Sequence, residues 1–247
     1  MSKEPLSSVL GLPIHLIDDY QGWLSSRLQQ GIGTHVVTLN AEMTMQAEAN
    51  PTLAKIINYA ELVIPDGAGV VLYLYLQGKK IKRCPGIELA ESLLQSSGQT
   101  SKSVFFFGGA PGVAQTAAAA WQRQVPGLKI VGTQHGYISP AEAEKLQQTL
   151  TQLQPQLIFV GLGVPRQELW IAQHRYLCPK ATWIGVGGSF DIWAGVKSRA
   201  PGWLADNHLE WLYRLYQEPW RWRRMLALPK FAWKALAHRS HQERAVG

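Results

Sequence analysis

Residues 38–66 read TLNAEMTMQAEANPTLAKIINYAELVIPD, and this stretch decides the predicted fold. An apolar run, His35–Leu39, leads into it, and a second one, Leu62–Pro65, closes it. Continuous apolar runs of this length are typical of strands buried on both faces, and the amphipathic segment between them is long enough for a crossover helix. The stretch therefore predicts one strand, helix, strand unit of a parallel sheet.

Polar side chains accompany the ends of both predicted strands. Thr38, Asn40 and Glu42 mark the end of the first, and Asp66 follows the second. In open α/β sheets the carboxyl ends of the strands form the ligand crevice, which makes these residues candidates for a functional site. A second interpretation of Asp66 stays open, because an Asp before Gly67 and a helical run can simply cap a helix.

The alternation of strand-length and helix-length segments continues to about residue 196. It predicts a doubly wound α/β domain with a mostly parallel sheet of about seven strands. No repeat or low-complexity linker interrupts it, and composition changes only at Ala200–Gly202. We expect residues 1–196 to form the α/β domain and residues 197–247 a helical appendage. The predicted strands are Ile14–Ile17, Thr34–Leu39, Leu62–Ile64, Ser103–Phe107, Leu128–Gly132, Leu157–Gly161 and Thr182–Val186.

Charge is concentrated in the appendage. Residues 197–247 carry ten Lys and Arg against four acidic residues, a net charge of +6, which leaves +1 of the chain's +7 for the rest. Five of the ten tryptophans also lie there. Arginine with tryptophan suits the interface of an anionic membrane, while nucleic acid is the competing partner. The low charged fraction, 17%, leaves apolar surface for a membrane face or a homo-oligomer contact.

Several classes of protein are disfavoured. The two cysteines, Cys84 and Cys178, have no neighbours that complete a metal spacing, and two are too few for a disulfide scaffold. The N-terminus lacks the apolar core of a secretory signal, and no apolar run is long enough to span a bilayer. We expect a cytoplasmic protein with no membrane span.

Three glycine turns follow three predicted strands: Gly108-Gly109, Gly161-x-Gly163 and Gly185-x-Gly187. Glycine lets backbone amides converge on an anion, and a following helix N-terminus adds partial positive charge. Each turn alone is also compatible with tight packing. A nucleotide lying along the crevice accounts for all three, with Gln167, Glu168 and Asp191 as further contacts, although helix capping alone would also explain Glu168. Arg166 stands where the dinucleotide fingerprint needs its third glycine, which disfavours nicotinamide or flavin binding and hence an oxidoreductase.

The sequence offers arginines rather than a metal motif for a diphosphate leaving group. It contains no Asp-x-Asp pair and no His-Glu-x-x-His or Cys-x-x-Cys set, so no metal is expected. Arg83, Arg214, Arg221 and Arg224 are the candidate cations, the last three spaced for one helical face. A solvated face or a membrane contact without catalysis would explain that stripe equally well.

Taken together, these motifs resemble the WecG/TagA/CpsF glycosyltransferase family over nearly the whole chain. The resemblance implies a Rossmann-like fold and an inverting, metal-independent transfer. Members typically move N-acetylmannosamine or its uronic acid from a UDP donor to N-acetylglucosamine on a polyprenyl diphosphate, in the synthesis of cell-surface polymers. The motifs are Thr38-x-Asn40-x-Glu42, Pro65-Asp66-Gly67, Arg83-x-x-Gly86, Gly108-Gly109, Gly161-x-Gly163-x-Pro165-x-Gln167-Glu168, Gly185-x-Gly187 with Phe190-Asp191, Arg199-Ala200-Pro201, Leu209-Glu210-Trp211 and Arg214.

The resemblance also implies roles. Asp66 would be the general base, with Thr38 and Asn40 as substrate contacts beside it, and Gln167 and Asp191 would contact the donor or its nucleotide. The four arginines would bind substrate phosphates. The appendage would dock on the inner face of the cell membrane and complete the active site, with no nucleic acid as partner. Two alternatives remain: a transferase that uses another UDP-hexose such as glucose or galactose, and a nucleotide-dependent nucleic-acid-binding protein.

Overall fold

The computed structural model of the chain describes residues 6–206 and 209–246, without the side chains of residues 205, 206, 214, 221 and 238–246. Helices cover both faces of a central parallel sheet, as the alternating pattern predicts. The strands are β1 (Leu6–Val9), β2 (Leu12–His15), β3 (Thr34–Leu39), β4 (Leu62–Pro65), β5 (Ser103–Gly108), β6 (Lys129–Gln134), β7 (Leu157–Gly161) and β8 (Thr182–Gly185).

The helices of the α/β part are α1 (Tyr20–Gln30), α2 (Ala41–Ala49), α3 (Pro51–Tyr59), α4 (Ala68–Leu76), α5 (Gly86–Thr100), α6 (Val113–Gln124), α7 (Pro140–Leu153), α8 (Arg166–His174) and α9 (Ser189–Trp193). The crossover predicted as one helix is two, because Asn50 ends α2 and Pro51 starts α3. The Asn50 side chain accepts a hydrogen bond from the Leu53 amide at 3.1 Å and caps α3.

Within the described residues, six strands form the parallel sheet in the order β4-β3-β8-β7-β5-β6. The prediction of about seven strands in this sheet is wrong for the first predicted strand, Ile14–Ile17. That segment overlaps β2, which pairs with β1 in a separate antiparallel hairpin. Leu10 and Gly11, both at positive φ, make a connection too short for a parallel crossover. The hairpin lies beside β4, where the Val63 amide donates to His15 Nδ1 at 3.0 Å.

The chain after residue 196 is helical, and it packs back onto the α/β part. It contains α10 (Gly202–Asp206), α11 (Glu210–Gln217), α12 (Trp222–Met225) and α13 (Ala227–Val246). Phe231 of α13 is buried in the same apolar cluster as residues of α2 and α4, and its ring centroid lies 6.1 Å from that of Tyr73. None of the described helices combines the length and the apolar composition needed to cross a bilayer.

Candidate active site

A cavity of about 610 Å³ lies at the carboxyl ends of the parallel strands, and the appendage closes one side of it. A volume of this size is in the range of small-molecule sites. It is here that most of the residues predicted from sequence meet. Ten of the fourteen line it: Thr38, Asn40, Asp66, Arg83, Gly109, Gly163, Gln167, Gly187, Asp191 and Arg224.

Asp66 directly follows the C-terminal end of β4, where hydrogen bonds fix both its backbone and its side chain. Its backbone amide donates to Leu39 O at 3.0 Å, which ties it to the neighbouring strand β3. Its carboxylate oxygen Oδ1 accepts a hydrogen bond from the Gly86 amide at 2.7 Å, in the first turn of α5. A negative charge is favoured at a helix N-terminus. Asp66 therefore does not cap the helix that follows it, α4, but sits at the start of α5.

The start of α5 also packs directly against Thr38. A Cβ atom at Gly86 would lie 2.7 Å from Thr38 Cγ2, so only glycine lets the helix approach this closely. The Thr38 hydroxyl faces Gly185 O at 3.4 Å. Asn40 Oδ1 caps α2 by accepting from the Met43 amide at 2.9 Å, which leaves the Asn40 amide nitrogen as its donor toward the cavity. Two neutral polar side chains thus line the same cavity as the Asp66 carboxylate.

The glycine turns form the opposite wall. Gly109, Gly163 and Gly187 all line the cavity and adopt positive φ. Gln167 is buried between two of these turns, and its Oε1 accepts a hydrogen bond from the Gly187 amide at 3.0 Å. This bond orients the turn after β8, so Gln167 both lines the cavity and shapes its wall.

Gly108 and Glu168, which are also predicted as nucleotide contacts, are not among the residues that line the cavity. Gly108 instead allows β5 and β7 to approach, because a Cβ there would lie 2.3 Å from Gly161 O. Glu168 is 0% exposed and lies behind Gln167. Its Oε2 is 2.7 Å from His35 Nε2, and its Oε1 accepts from Gln167 Nε2 at 3.0 Å. Burial with two partners accounts for this carboxylate without a ligand.

The arginines differ in their surroundings. Arg83 Nε donates to Asp66 O at 2.6 Å, and a terminal nitrogen of the same guanidinium hydrogen-bonds Glu210 of α11. Arg224 lines the cavity with a terminal nitrogen 3.7 Å from Glu42. The predictions for Arg214 and Arg221 fall on side chains outside the part of the chain that the structure describes.

Lys197 is a cavity residue that the sequence interpretation missed. Its Nζ donates to Asp191 at 2.8 Å and to Glu218 at 3.1 Å. Burial lowers the pKa of Lys197, but the two carboxylates outweigh that effect and the pKa is raised. A fixed positive charge therefore stands beside Asp191. No local signal marks this lysine, because its partners come from two other segments.

The cavity as a whole combines the anchored carboxylate of Asp66, cationic side chains that pair with four further acidic side chains, and glycine turns. Within residues 6–206 and 209–246, no group of three or more His, Cys, Asp and Glu side chains is placed to hold a metal ion. The arrangement can accept a proton from a hydroxyl at Asp66 and can bind anionic phosphate at the opposite wall.

Comparisons with known proteins give the family. A family model described as "Glycosyl transferase WecG/TagA/CpsF family" matches residues 7–245. The chain is 39% identical over 212 residues to an N-acetylglucosaminyldiphosphoundecaprenol N-acetyl-beta-D-mannosaminyltransferase of Bacillus spizizenii, covering 85% of this chain and 82% of that protein. It is 33% identical over 217 residues to the protein of the same name from Bacillus subtilis, covering 87% of this chain and 84% of the relative.

Proposed function

Because the chain belongs to the WecG/TagA/CpsF glycosyltransferase family, we propose that it transfers an N-acetylmannosamine-type sugar from a UDP donor to a polyprenyl-diphosphate-linked sugar. The names of both relatives support the sugar and the acceptor. The product would enter a cell-surface polysaccharide or a polymer of the teichoic-acid type.

The observation that carries the proposal is the placement of Asp66. Its carboxylate is anchored by the Gly86 amide, in the cavity that the polar side chains of Thr38 and Asn40 also line. In a single displacement, the acceptor hydroxyl oxygen bonds to the anomeric carbon while the bond from that carbon to UDP breaks, and the configuration inverts. The hydroxyl proton passes to Asp66, which acts as general base.

The departing UDP gains negative charge, and the guanidinium groups of Arg83 and Arg224 line the cavity in which it would lie. The glycine turns at Gly109, Gly163 and Gly187 let a diphosphate approach the backbone of the cavity wall. Donors already aimed at the developing charge stabilise it without reorganising water. This supports a transfer without a metal, in which protein cations do the work of charge neutralisation.

The appendage supports a peripheral location on the inner face of the membrane. Trp203, Trp220, Trp222 and Trp233 are exposed in the part of the chain that also carries the excess of basic residues. Indole rings and cations favour the interface of an anionic bilayer. Because the polyprenyl chain of the acceptor stays in the bilayer, such a surface would bring Asp66 to the sugar headgroup.

The test is a donor panel. Purified full-length chain is incubated with N-acetylglucosaminyl diphosphate carried on a polyprenyl chain and, in separate reactions, with UDP-linked N-acetylmannosamine, N-acetylglucosamine, glucose and galactose, each with and without EDTA. We expect transfer from UDP-N-acetylmannosamine, an inverted anomeric configuration by NMR and no effect of EDTA. Faster transfer from another UDP-hexose would replace the proposed sugar, and a large loss in EDTA would contradict the metal-free mechanism.

A further inference from the structure

A second cavity, of about 1070 Å³, opens on the other side of the segment that holds the Asp66 region in place. It lies between α4, the start of α1 and the first turns of α5. Arg83 and Pro85 line both this cavity and the candidate active site. The two spaces therefore share a wall to which Arg83 and Pro85 contribute.

One wall of the second cavity is an apolar helix face. Helix α4 reads AGVVLYLYL, and its buried residues are Val70, Tyr73 and Leu74. The side chains of α4 that line the cavity include Leu72 and Tyr75, which are 58% and 61% exposed. A helix that is apolar all round normally lies in an interior, so an outward apolar face indicates a partner.

The rim of this cavity carries basic side chains. Lys80 and Lys82 are exposed there, and neither pairs with a carboxylate within the described residues. The acidic side chains on the same walls are Asp18, Asp19 and Glu88. Asp19 caps α1 through the Gly22 amide at 2.8 Å, and Glu88 pairs with Arg199. Two ammonium groups thus remain available beside apolar surface.

The helix α4 that lines this cavity packs against α13, which carries part of the surface that we propose to face the membrane. Tyr73 of α4 packs on Phe231 of α13, with ring centroids 6.1 Å apart. Further along α13, Trp233 and Leu236 are exposed. The helix that carries these exposed apolar side chains therefore packs against the helix that forms one wall of the cavity.

We propose that this second cavity, bounded by α4 and residues 80–85, binds the diphosphate and the first isoprenoid units of the lipid-linked acceptor. The inference rests on the proposed function, from which it takes the chemistry of the acceptor. That acceptor presents, in order, a sugar, a diphosphate and an apolar chain. The protein presents, in the same order, Asp66, the cations Arg83, Lys80 and Lys82, and the apolar face of α4.

The direct test uses a photoreactive acceptor without any membrane. The probe is N-acetylglucosaminyl diphosphate on a short isoprenoid that carries a benzophenone next to the diphosphate, incubated with the full chain and no donor. We expect labelled peptides from residues 71–85 and competition by the unlabelled acceptor. Labelling confined to residues 210–246 would overturn the proposal.

The kinetic test uses Leu72→Glu, because a charge in the apolar wall should repel the chain. We expect KM for the isoprenoid acceptor to rise about tenfold, because the apolar contact that Leu72 would make with the bound isoprenoid is lost. KM for the donor should not change, and neither should KM for an acceptor that ends in a methyl diphosphate ester. The matched control is Leu153→Glu on α7, where an exposed leucine lines neither cavity.

The two lysines at the rim of the cavity are tested by the double variant Lys80→Glu, Lys82→Glu. It should raise KM for the isoprenoid acceptor and for the methyl diphosphate ester, because both carry the diphosphate. Lys145→Glu on α7 is the control.

If Leu72→Glu weakened binding to acceptor-free anionic vesicles and left KM for the soluble acceptor unchanged, α4 would be a membrane contact and the proposal would be wrong. Photolabelling needs no turnover. If no UDP-sugar of the donor panel supported transfer, the proposed function would be wrong, but the labelled peptides would still show where the acceptor binds.

Discussion

Arg83 and Glu210 hydrogen-bond across the mouth of the candidate active site, and this contact joins the α/β part to α11 of the appendage. Both side chains are largely shielded from solvent. Arg83 also donates to the backbone oxygen of Asp66 at 2.6 Å. The Arg83 guanidinium therefore links Asp66, the proposed base, to Glu210 of the appendage. Arg83 also belongs to the wall that the two cavities share.

This link predicts energetic coupling between the two side chains. In a double-mutant cycle with Arg83→Ala and Glu210→Ala, we expect a coupling free energy of about 0.5–3 kcal/mol, because the residues are in direct contact. Urea denaturation supplies the four free energies of unfolding. Hydrogen exchange should also accelerate in residues 210–217 of either single variant. Additive effects with unchanged exchange would show that α11 is held elsewhere, and Glu144→Ala on α7 serves as control.

Asp66→Asn should abolish most turnover. The amide is almost isosteric with the carboxylate but does not accept the acceptor proton, so we expect kcat to fall by about 10²–10⁴-fold. Affinity for UDP, measured by calorimetry, should stay within a few fold because the nucleotide wall is intact. Glu144→Gln removes a carboxylate on α7 and should be neutral. Retained activity in Asp66→Asn would remove this residue as the base.

The appendage should be required for work on a lipid acceptor. Deleting the chain from Pro201 onward is expected to abolish both binding to anionic liposomes and transfer, since the arginines and exposed tryptophans are lost together. Circular dichroism should still report a folded α/β part. The milder variant Trp233→Ser, at a side chain 69% exposed, should weaken liposome binding without unfolding the protein. Full activity of the truncated chain would refute a two-part site.

Glu168 should contribute to stability and, indirectly, to donor binding. Glu168→Ala leaves His35 and Gln167 without their buried partner, at a cost of about 1–3 kcal/mol in the free energy of unfolding. KM for the donor should rise because Gln167 no longer holds the Gly187 turn rigidly. Glu144→Ala, on the surface, should change stability by no more than about 0.5 kcal/mol. A stable variant with normal donor KM would contradict this positioning role.

Glu61 should make stability fall in acid. Burial raises the pKa of Glu61, but hydrogen bonds from Arg175 at 2.8 Å and from the His35 amide at 2.7 Å outweigh it, so the pKa lies below its ordinary value of 4.5. A carboxylate with a lowered pKa stabilises the fold above its unfolded-state pKa, and this stabilisation is lost as the pH falls through the folded-state value.

The corresponding variant is Glu61→Gln. Urea unfolding should show that it is less stable than the parent at pH 7, by about 1–2 kcal/mol. The difference should shrink at progressively lower pH below about 4.5. A difference that does not depend on pH would mean that the carboxylate charge contributes nothing there.

Much of the fold could be predicted from local patterns. Buried parallel strands are continuous apolar runs, and six of the seven predicted runs form strands of the parallel sheet within the described residues. The hairpin of β1 and β2 was missed because β1, LSSV, is short and half polar. Strand order was also beyond local patterns, because β7 and β8 insert between β3 and β5 only when long-range pairs form.

For the site, the local pattern of residues indicates which side chains stand at strand ends, and parallel strands bring those ends to one edge. That is why Thr38, Asn40 and Asp66 share a cavity. The contacts of Glu168 with His35, of Arg83 with Glu210 and of Lys197 with two carboxylates form only when the chain folds. Sequence periodicity reports which face of an element is apolar, whereas a polar partner is selected by packing between segments far apart in the chain.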